Sequence, residues 1–174
     1  MIPPVNNRRG LSLIELIVTV VILSILGLLV LPLTQMTTKR IRELELRRNL
    51  REIRTALDEY KKNYDDAVKL GKRPSVVLDE SGFPKTLELL VEGESDPTDP
   101  KGERKKKFLR RIPPDPFHQP KMQDGVKSKD AKDMWGLRSY RDKVDSTLWG
   151  GEDVFDVYSL SEETAIDGTK YKDW

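Results

Sequence analysis

Residues 8–33 read RRGLSLIELIVTVVILSILGLLVLPL, and this stretch determines how the rest of the chain is organised. Residues 16–38 contain no charged side chain at all. An apolar run of 18 or more residues is a candidate transmembrane helix, because about 20 residues cross the hydrocarbon core of a bilayer. We therefore predict a transmembrane helix over residues 11–33. Arg8 and Arg9 precede it and would stay on the cytoplasmic side, so the C-terminal part would lie outside.

A cleavable secretory signal is an alternative interpretation of the same segment. The apolar region of such a signal is usually about 7–15 residues long and is followed by a cleavage site of small residues. Residues 11–33 are longer than this, and the sequence Leu31-Pro32-Leu33 provides no such site. A retained helix is therefore favoured.

Two residues interrupt the apolar run. Glu15 is its one ionisable side chain, and a charge in a membrane is costly enough to indicate a functional site with a cationic partner. The alternative is that Glu15 lies near the interface and extends its carboxylate to water. Pro32 removes a backbone donor and clashes with the preceding turn, so it is expected to kink or locally melt the helix.

The composition excludes several classes of function. The chain has 174 residues, with 31 basic and 29 acidic side chains, one His and no Cys. The absence of Cys excludes a disulfide scaffold, and a single His excludes multi-His zinc sites. A net charge of +2 argues against a dedicated nucleic-acid binder. A membrane-anchored enzyme is an alternative, but His118 has no obvious catalytic partner, so we expect no enzymatic activity.

Beyond the apolar run the pattern becomes amphipathic. Apolar residues spaced four and three apart form one helical stripe: Leu46, Leu50, Ile53, Leu57, Tyr60 and Tyr64. One helix is therefore predicted from near Ser12 to about Asp65, with a length of about 80 Å at 1.5 Å per residue. The stripe would pack on a coiled-coil partner or on a small sheet of the same chain, and we favour the sheet.

The remaining residues predict a small α+β body. A short helix should end at Gly93, a polar loop should follow over residues 94–103, and strands are expected at 135–140 and 154–160. Residues 75–78 read as a short extended piece. Residues 101–111 contain seven basic side chains and one acidic side chain. They form either a nucleic-acid patch or, as we favour, a solvated face balanced by acidic neighbours.

Residues 8–16, RRGLSLIEL, resemble the processing motif of type IV pilins and type II secretion pseudopilins. The resemblance implies that a prepilin peptidase removes the basic leader 1–10 by cleaving between Gly10 and Leu11, and that Leu11 becomes N-methylated. Glu15 would then be the fifth mature residue and pair with the N-terminal amine of a neighbouring subunit during assembly. The family often has a proline at the position of Pro32. It also implies an α+β fold, in which a long N-terminal helix packs on a small antiparallel sheet.

This family pattern implies four regions. They are the leader 1–10, the transmembrane and assembly helix 11–33, its amphipathic continuation 34–65, and a periplasmic pilin-like domain 66–174.

Segments near the C-terminus resemble the major pseudopilin of type II secretion, its G subunit. They are residues 111–117, the pair Trp135-Gly136 and residues 167–174. In that family a C-terminal loop commonly binds calcium, which implies the carbonyl of Leu160 and the side chains of Asp167 and Asp173 as ligands. Residues 161–166 are shorter than the corresponding family stretch, so the alternative is that Asp167-Gly168 is simply a turn.

The resemblance implies a structural subunit of a type II secretion pseudopilus that drives protein secretion. It would be anchored by a single pass in the bacterial inner membrane, with its N-terminus cytoplasmic and its C-terminal domain periplasmic, and would join a filament after assembly. Its implied partners are further copies of itself, minor pseudopilins, the prepilin peptidase and an inner-membrane assembly platform. The alternative is a type IV pilin or minor pilin that serves adhesion, motility or DNA uptake. Nucleic acid is not an expected partner.

Overall fold

The computed structural model describes Gly10 and residues 12–72, 81–99, 103–118, 122–123, 126–127 and 134–174. For residues 28–34, 122–123 and 126–127 it describes the backbone alone. The chain divides into two compact units, Met1–Arg40 and Ile41–Trp174. The expected extended piece at 75–78 lies outside the described residues.

Helix α1, Leu13–Lys69, contributes residues to both units. It begins where the sequence predicts and ends four residues after the expected Asp65. Its last turn is closed by backbone N–H groups of Gly71 and Lys72, which donate to the carbonyls of Val68 and Ala67 at 3.0 Å. Gly71 has φ +67°, a left-handed conformation that glycine adopts without steric cost. This glycine therefore ends the helix.

In the first unit, the described part of α1 has an exposed apolar surface. The large exposed side chains are Leu13, Ile14, Leu16, Ile17, Val18, Val20, Val21, Ile22, Leu23, Ile25 and Leu26. The hydroxyls of Thr19 and Ser24 donate to the carbonyls of Leu16 and Val20, both at 2.8 Å. The polar atoms of this surface are thus bonded back onto the helix. Within the described residues, no helical stretch has the length and apolarity needed to cross a membrane.

In the second unit, the predicted apolar stripe of α1 forms the core. Leu46, Leu50, Ile53, Leu57 and Tyr60 are buried, and Tyr64 is half-buried. They pack against residues from the rest of the same unit, namely Leu87, Leu90, Leu109, Trp135, Leu137, Val154, Val157, Ala165 and Tyr171. The expectation that the stripe packs on the chain's own sheet and loops is therefore confirmed.

Short elements complete the second unit. Helix α2, Glu88–Glu92, ends at Gly93 as predicted. Three antiparallel pairs follow: β1 (Glu94–Ser95) with β2 (Lys105–Lys106), β3 (Met122–Gln123) with β4 (Val126–Lys127), and β5 (Gly136–Arg138) with β6 (Asp156–Tyr158). The α+β class is confirmed. In the described part of the chain, the expected single sheet is three separate two-stranded pairs.

The prediction of a polar loop over residues 94–103 is wrong for residues 94 and 95. Glu94 and Ser95 pair with Lys106 and Lys105, which makes the segment a hairpin. The Asp96 carboxylate stabilises this hairpin, because it accepts hydrogen bonds from the Thr98 N–H at 2.9 Å and the Thr98 hydroxyl at 2.6 Å. The sequence pattern missed the strand because two residues carry no periodicity.

The basic stretch of residues 101–111 includes a cation that is paired with an acidic neighbour. The Arg104 guanidinium forms an ion pair with Asp96 at 2.8 Å. The ammonium of Lys106 lies 5.5 Å from the centre of the Phe108 ring. Residues 101 and 102 of the stretch lie outside the described residues.

Candidate functional site

The start of α1 carries the residues that the sequence analysis assigned to processing and assembly. The Ser12 hydroxyl accepts the backbone N–H of Glu15 at 3.2 Å, and the Ser12 carbonyl accepts the N–H of Leu16 at 3.1 Å. Ser12 is therefore the N-cap of the helix. Glu15 lies in the first turn with its side chain exposed, where a carboxylate interacts favourably with the helix dipole.

The expected cleavage point lies just before this cap. Gly10 is exposed, and a Cβ atom built on it would have no heavy atom within 4 Å. Leu11 and the leader residues 1–9 lie outside the described residues. Helix α1 runs through Pro32 without interruption, so the expected local melting at this residue is absent. A kink at Pro32 stays a prediction.

The three predicted calcium ligands lie at the C-terminal end of the second unit. Leu160 is half-buried, Asp167 lies within the turn closed by the Thr164–Lys170 bridge, and Asp173 is exposed in a short 3-10 helix, Tyr171–Asp173. Asp167 Oδ1 accepts the Thr169 N–H at 3.0 Å and its hydroxyl at 2.6 Å. These bonds, with the Arg47 guanidinium, lower the pKa of Asp167. In the part of the chain that the structure describes, no three acidic or histidine side chains are grouped to hold a metal ion.

The comparisons with known proteins find a family motif in the sequence around the start of α1. Residues 5–31 match the family model for the prokaryotic N-terminal methylation motif. The chain is 30% identical over 135 residues to the type II secretion system core protein G of Pseudomonas aeruginosa, covering 76% of this chain and 84% of that protein. The chain belongs to the type IV pilin and pseudopilin family. No solved structure gives a significant match to this chain. The family is a structural one rather than a family of enzymes.

The proline-rich turn at residues 113–118 is built around Asp115. Its side chain is 2% exposed, and its Oδ1 accepts the N–H groups of Phe117 at 2.8 Å and His118 at 3.2 Å. Its Oδ2 accepts the Ser159 hydroxyl at 2.6 Å. The proline-rich turn is thus bonded to Ser159, which follows β6. His118 contributes its backbone N–H to this turn.

Sequence reasoning missed the role of three charged residues of α1 that bind residues between 156 and 174. Arg54 Nε donates to Asp156 Oδ1 at 2.8 Å, and Arg54 Nη2 donates to the main-chain oxygens of Val157 at 3.0 Å and Trp174 at 2.9 Å. The other two are Glu43 and Arg47. Each of the three precedes a stripe residue by three positions, namely Leu46, Leu50 and Leu57, so the helical period places them beside the buried stripe but does not reveal their partners.

Proposed function

We propose that this pseudopilin is a structural subunit of a type II secretion pseudopilus. A prepilin peptidase cleaves between Gly10 and Leu11, and the new amine of Leu11 is methylated. Residues 11–33 hold the subunit in the bacterial inner membrane, with the C-terminal domain in the periplasm. Assembly then moves it into a helical filament with further copies and with minor pseudopilins. The relative named as a core protein of such a system supports this choice over a type IV pilin.

One observation carries the filament role: the exposed apolar surface of α1 between Leu13 and Leu26. Leu23, for example, is 67% exposed. Water is an unfavourable environment for such a surface, at a cost of about 25 cal/mol per Å². Lipid covers it before assembly, and the equivalent helices of neighbouring subunits cover it afterwards.

Glu15 has a specific part in this proposal. It lies at the start of the exposed apolar surface, with its own backbone N–H capped by Ser12. An amine that enters an apolar filament core needs a counter-charge, and opposite charges attract strongly in a medium of low dielectric constant. The carboxylate of one subunit would therefore pair with the Leu11 amine of the next and fix the stagger between them.

Processing is tested by intact-mass measurement of the full chain, extracted from membranes with and without a prepilin peptidase. We expect a mature chain that starts at Leu11 and carries one additional methyl group. A chain that still starts at Met1 in the presence of the peptidase would overturn the processing step.

Assembly is tested by shearing filaments from cells that overproduce the subunit and by measuring secretion in parallel. Glu15→Gln removes the charge and keeps the shape, so we expect a processed subunit with little filament and little secretion. Glu45→Gln is the matched control, because Glu45 is an exposed glutamate further along α1. Filaments that are normal in Glu15→Gln would contradict the role of this carboxylate. Filaments without any effect on secretion would assign the subunit to a type IV pilus instead.

A further inference from the structure

The C-terminal segment, residues 163–174, is fastened to α1 by a buried carboxylate. Glu43 is 9% exposed, and its Oε1 accepts the backbone N–H of Ile166 at 2.8 Å and the hydroxyl of Tyr171 at 2.9 Å. Tyr171 is fully buried and stacks on Phe117 with ring centres 4.0 Å apart. Its burial, and then its hydrogen bond to Glu43, raise the pKa of Tyr171.

A guanidinium lies one helical turn further along α1. Arg47 Nη2 is 3.2 Å from Asp167 Oδ2, and the guanidinium carbon of Arg47 lies 4.1 Å from the centre of the Trp174 ring. The Trp174 indole N–H in turn donates to the Thr169 hydroxyl at 2.7 Å. Arg47 thus contacts both ends of residues 167–174, through an ion pair at one end and a cation–π contact at the other.

The oxygen atoms available here do not suit a calcium ion. Calcium takes six to eight oxygen ligands. Asp167 is one of the implied ligands, yet its Oδ1 already accepts two bonds from Thr169 and its Oδ2 is paired with Arg47. A divalent cation that bound Asp167 would also lie close to the positive charge of Arg47, and like charges repel. The residues present therefore do not fit the metal that the family implies.

We propose that Glu43 and Arg47 close the C-terminal segment of this pseudopilin in place of calcium, with the guanidinium of Arg47 as its fixed positive charge. The segment then depends on two side chains four residues apart on α1, and not on the concentration of a free ion. Because the contacts lie within one subunit, this role is independent of whether the subunit builds a secretion pseudopilus.

The first test uses the full chain in detergent. Calorimetry measures the heat of a calcium titration, and thermal unfolding is then compared in calcium chloride and in EGTA. We expect no binding heat and the same unfolding temperature in both solutions. An unfolding temperature that rises with calcium would overturn the proposal.

The second test is hydrogen exchange of the full-length variant Arg47→Gln in EGTA. We expect amides of residues 166–173 to exchange about two- to fivefold faster than in the unmodified chain, the range for loss of a half-exposed ion pair. Arg48→Gln is the matched control, because the neighbouring Arg48 is exposed on another side of the helix. Equal exchange in Arg47→Gln and Arg48→Gln would overturn the role of Arg47. If Arg47→Gln does not fold, the calcium titration of the unmodified chain still decides whether an ion closes the segment.

Discussion

At the scale of single residues, the buried carboxylate of Glu43 joins α1 to the C-terminal segment. It accepts hydrogen bonds from a backbone amide and from a phenol, which come from two different turns of the C-terminal segment. A buried donor that loses its acceptor costs about 1–3 kcal/mol. The stability of the segment should therefore depend strongly on this one side chain.

We predict that Glu43→Ala lowers the free energy of unfolding by about 2–4 kcal/mol, because two donors lose their acceptor and a small cavity is left. Urea unfolding followed by circular dichroism measures this change. Glu45→Ala is the control, since Glu45 is exposed on the same helix. A loss in Glu43→Ala no larger than in Glu45→Ala would show that the two bonds carry no stability.

The Asp96 carboxyl should make the β1–β2 hairpin sensitive to acid. The Thr98 hydroxyl, then its backbone N–H, and Arg104 lower the pKa of Asp96 from 3.8 to about 2. Because the pKa is lower in the folded state, the stabilisation is complete above pH 3.8 and is lost as the pH falls towards 2. We predict that Thr98→Val moves the Asp96 pKa back towards 3.8, as measured by NMR titration of its side-chain carbonyl carbon. An unchanged midpoint would show that Thr98 is not the main cause.

Sequence reasoning found apolar residues far better than polar ones at this scale. Leu46, Leu50 and Ile53 repeat at the helical period, and the period alone shows that they share a buried face. Glu43 and Asp115 are buried because of particular partners that lie more than 40 residues away in the chain. No local pattern encodes which distant amide or hydroxyl a carboxylate will meet, so the partners of these residues could not be predicted.

At the scale of secondary-structure elements, the β5–β6 pair depends on close packing at Gly136. Gly136 lies opposite Tyr158, and a Cβ atom at this position would overlap the Tyr158 ring. The same ring lies 4.2 Å from the guanidinium carbon of Arg138. The pair therefore tolerates only glycine at this point unless the ring moves.

We predict that Gly136→Ala lowers the free energy of unfolding by about 1–3 kcal/mol, the usual cost of overpacking. Thermal unfolding of the full chain in detergent measures the loss. Leu148→Ala provides the control, because Leu148 lies in the segment of sequence that connects the same two strands and is 81% exposed. If both variants unfold at the temperature of the unmodified chain, the Tyr158 ring has another position available.

Elements were predictable from the sequence in proportion to their length. Helix α1 spans 57 residues, and its apolar and amphipathic parts both repeat many times. The strands at 136–138 and 156–158 were predicted as longer segments, and only three residues of each are paired. The β1–β2 pair has two residues in each strand and is formed by the hairpin geometry around Asp96, which no periodicity reveals.

At the scale of the whole molecule, the chain combines a unit with a buried core and a helical segment whose apolar side chains are exposed. Leu57 is 1% exposed and Leu23 is 67% exposed, although both belong to α1. Replacement by alanine should therefore impair folding at Leu57 and assembly at Leu23.

We predict that Leu57→Ala lowers the free energy of unfolding by about 2–5 kcal/mol, the range for a buried leucine. Leu23→Ala should leave that free energy unchanged and instead reduce the yield of sheared filaments. Chemical unfolding in detergent and the shearing assay together separate the two effects. A similar loss of stability in both variants would mean that Leu23 is packed within the folded subunit.

The interlocking of α1 with its core also has a mechanical consequence. Leu46, Leu50, Ile53, Leu57 and Tyr60 are buried over four turns of the same helix. A pull along the helix axis must displace all of these close-packed side chains at once, whereas a pull across the axis would separate them one turn at a time. The second unit is therefore expected to resist tension best when the load enters along its part of α1.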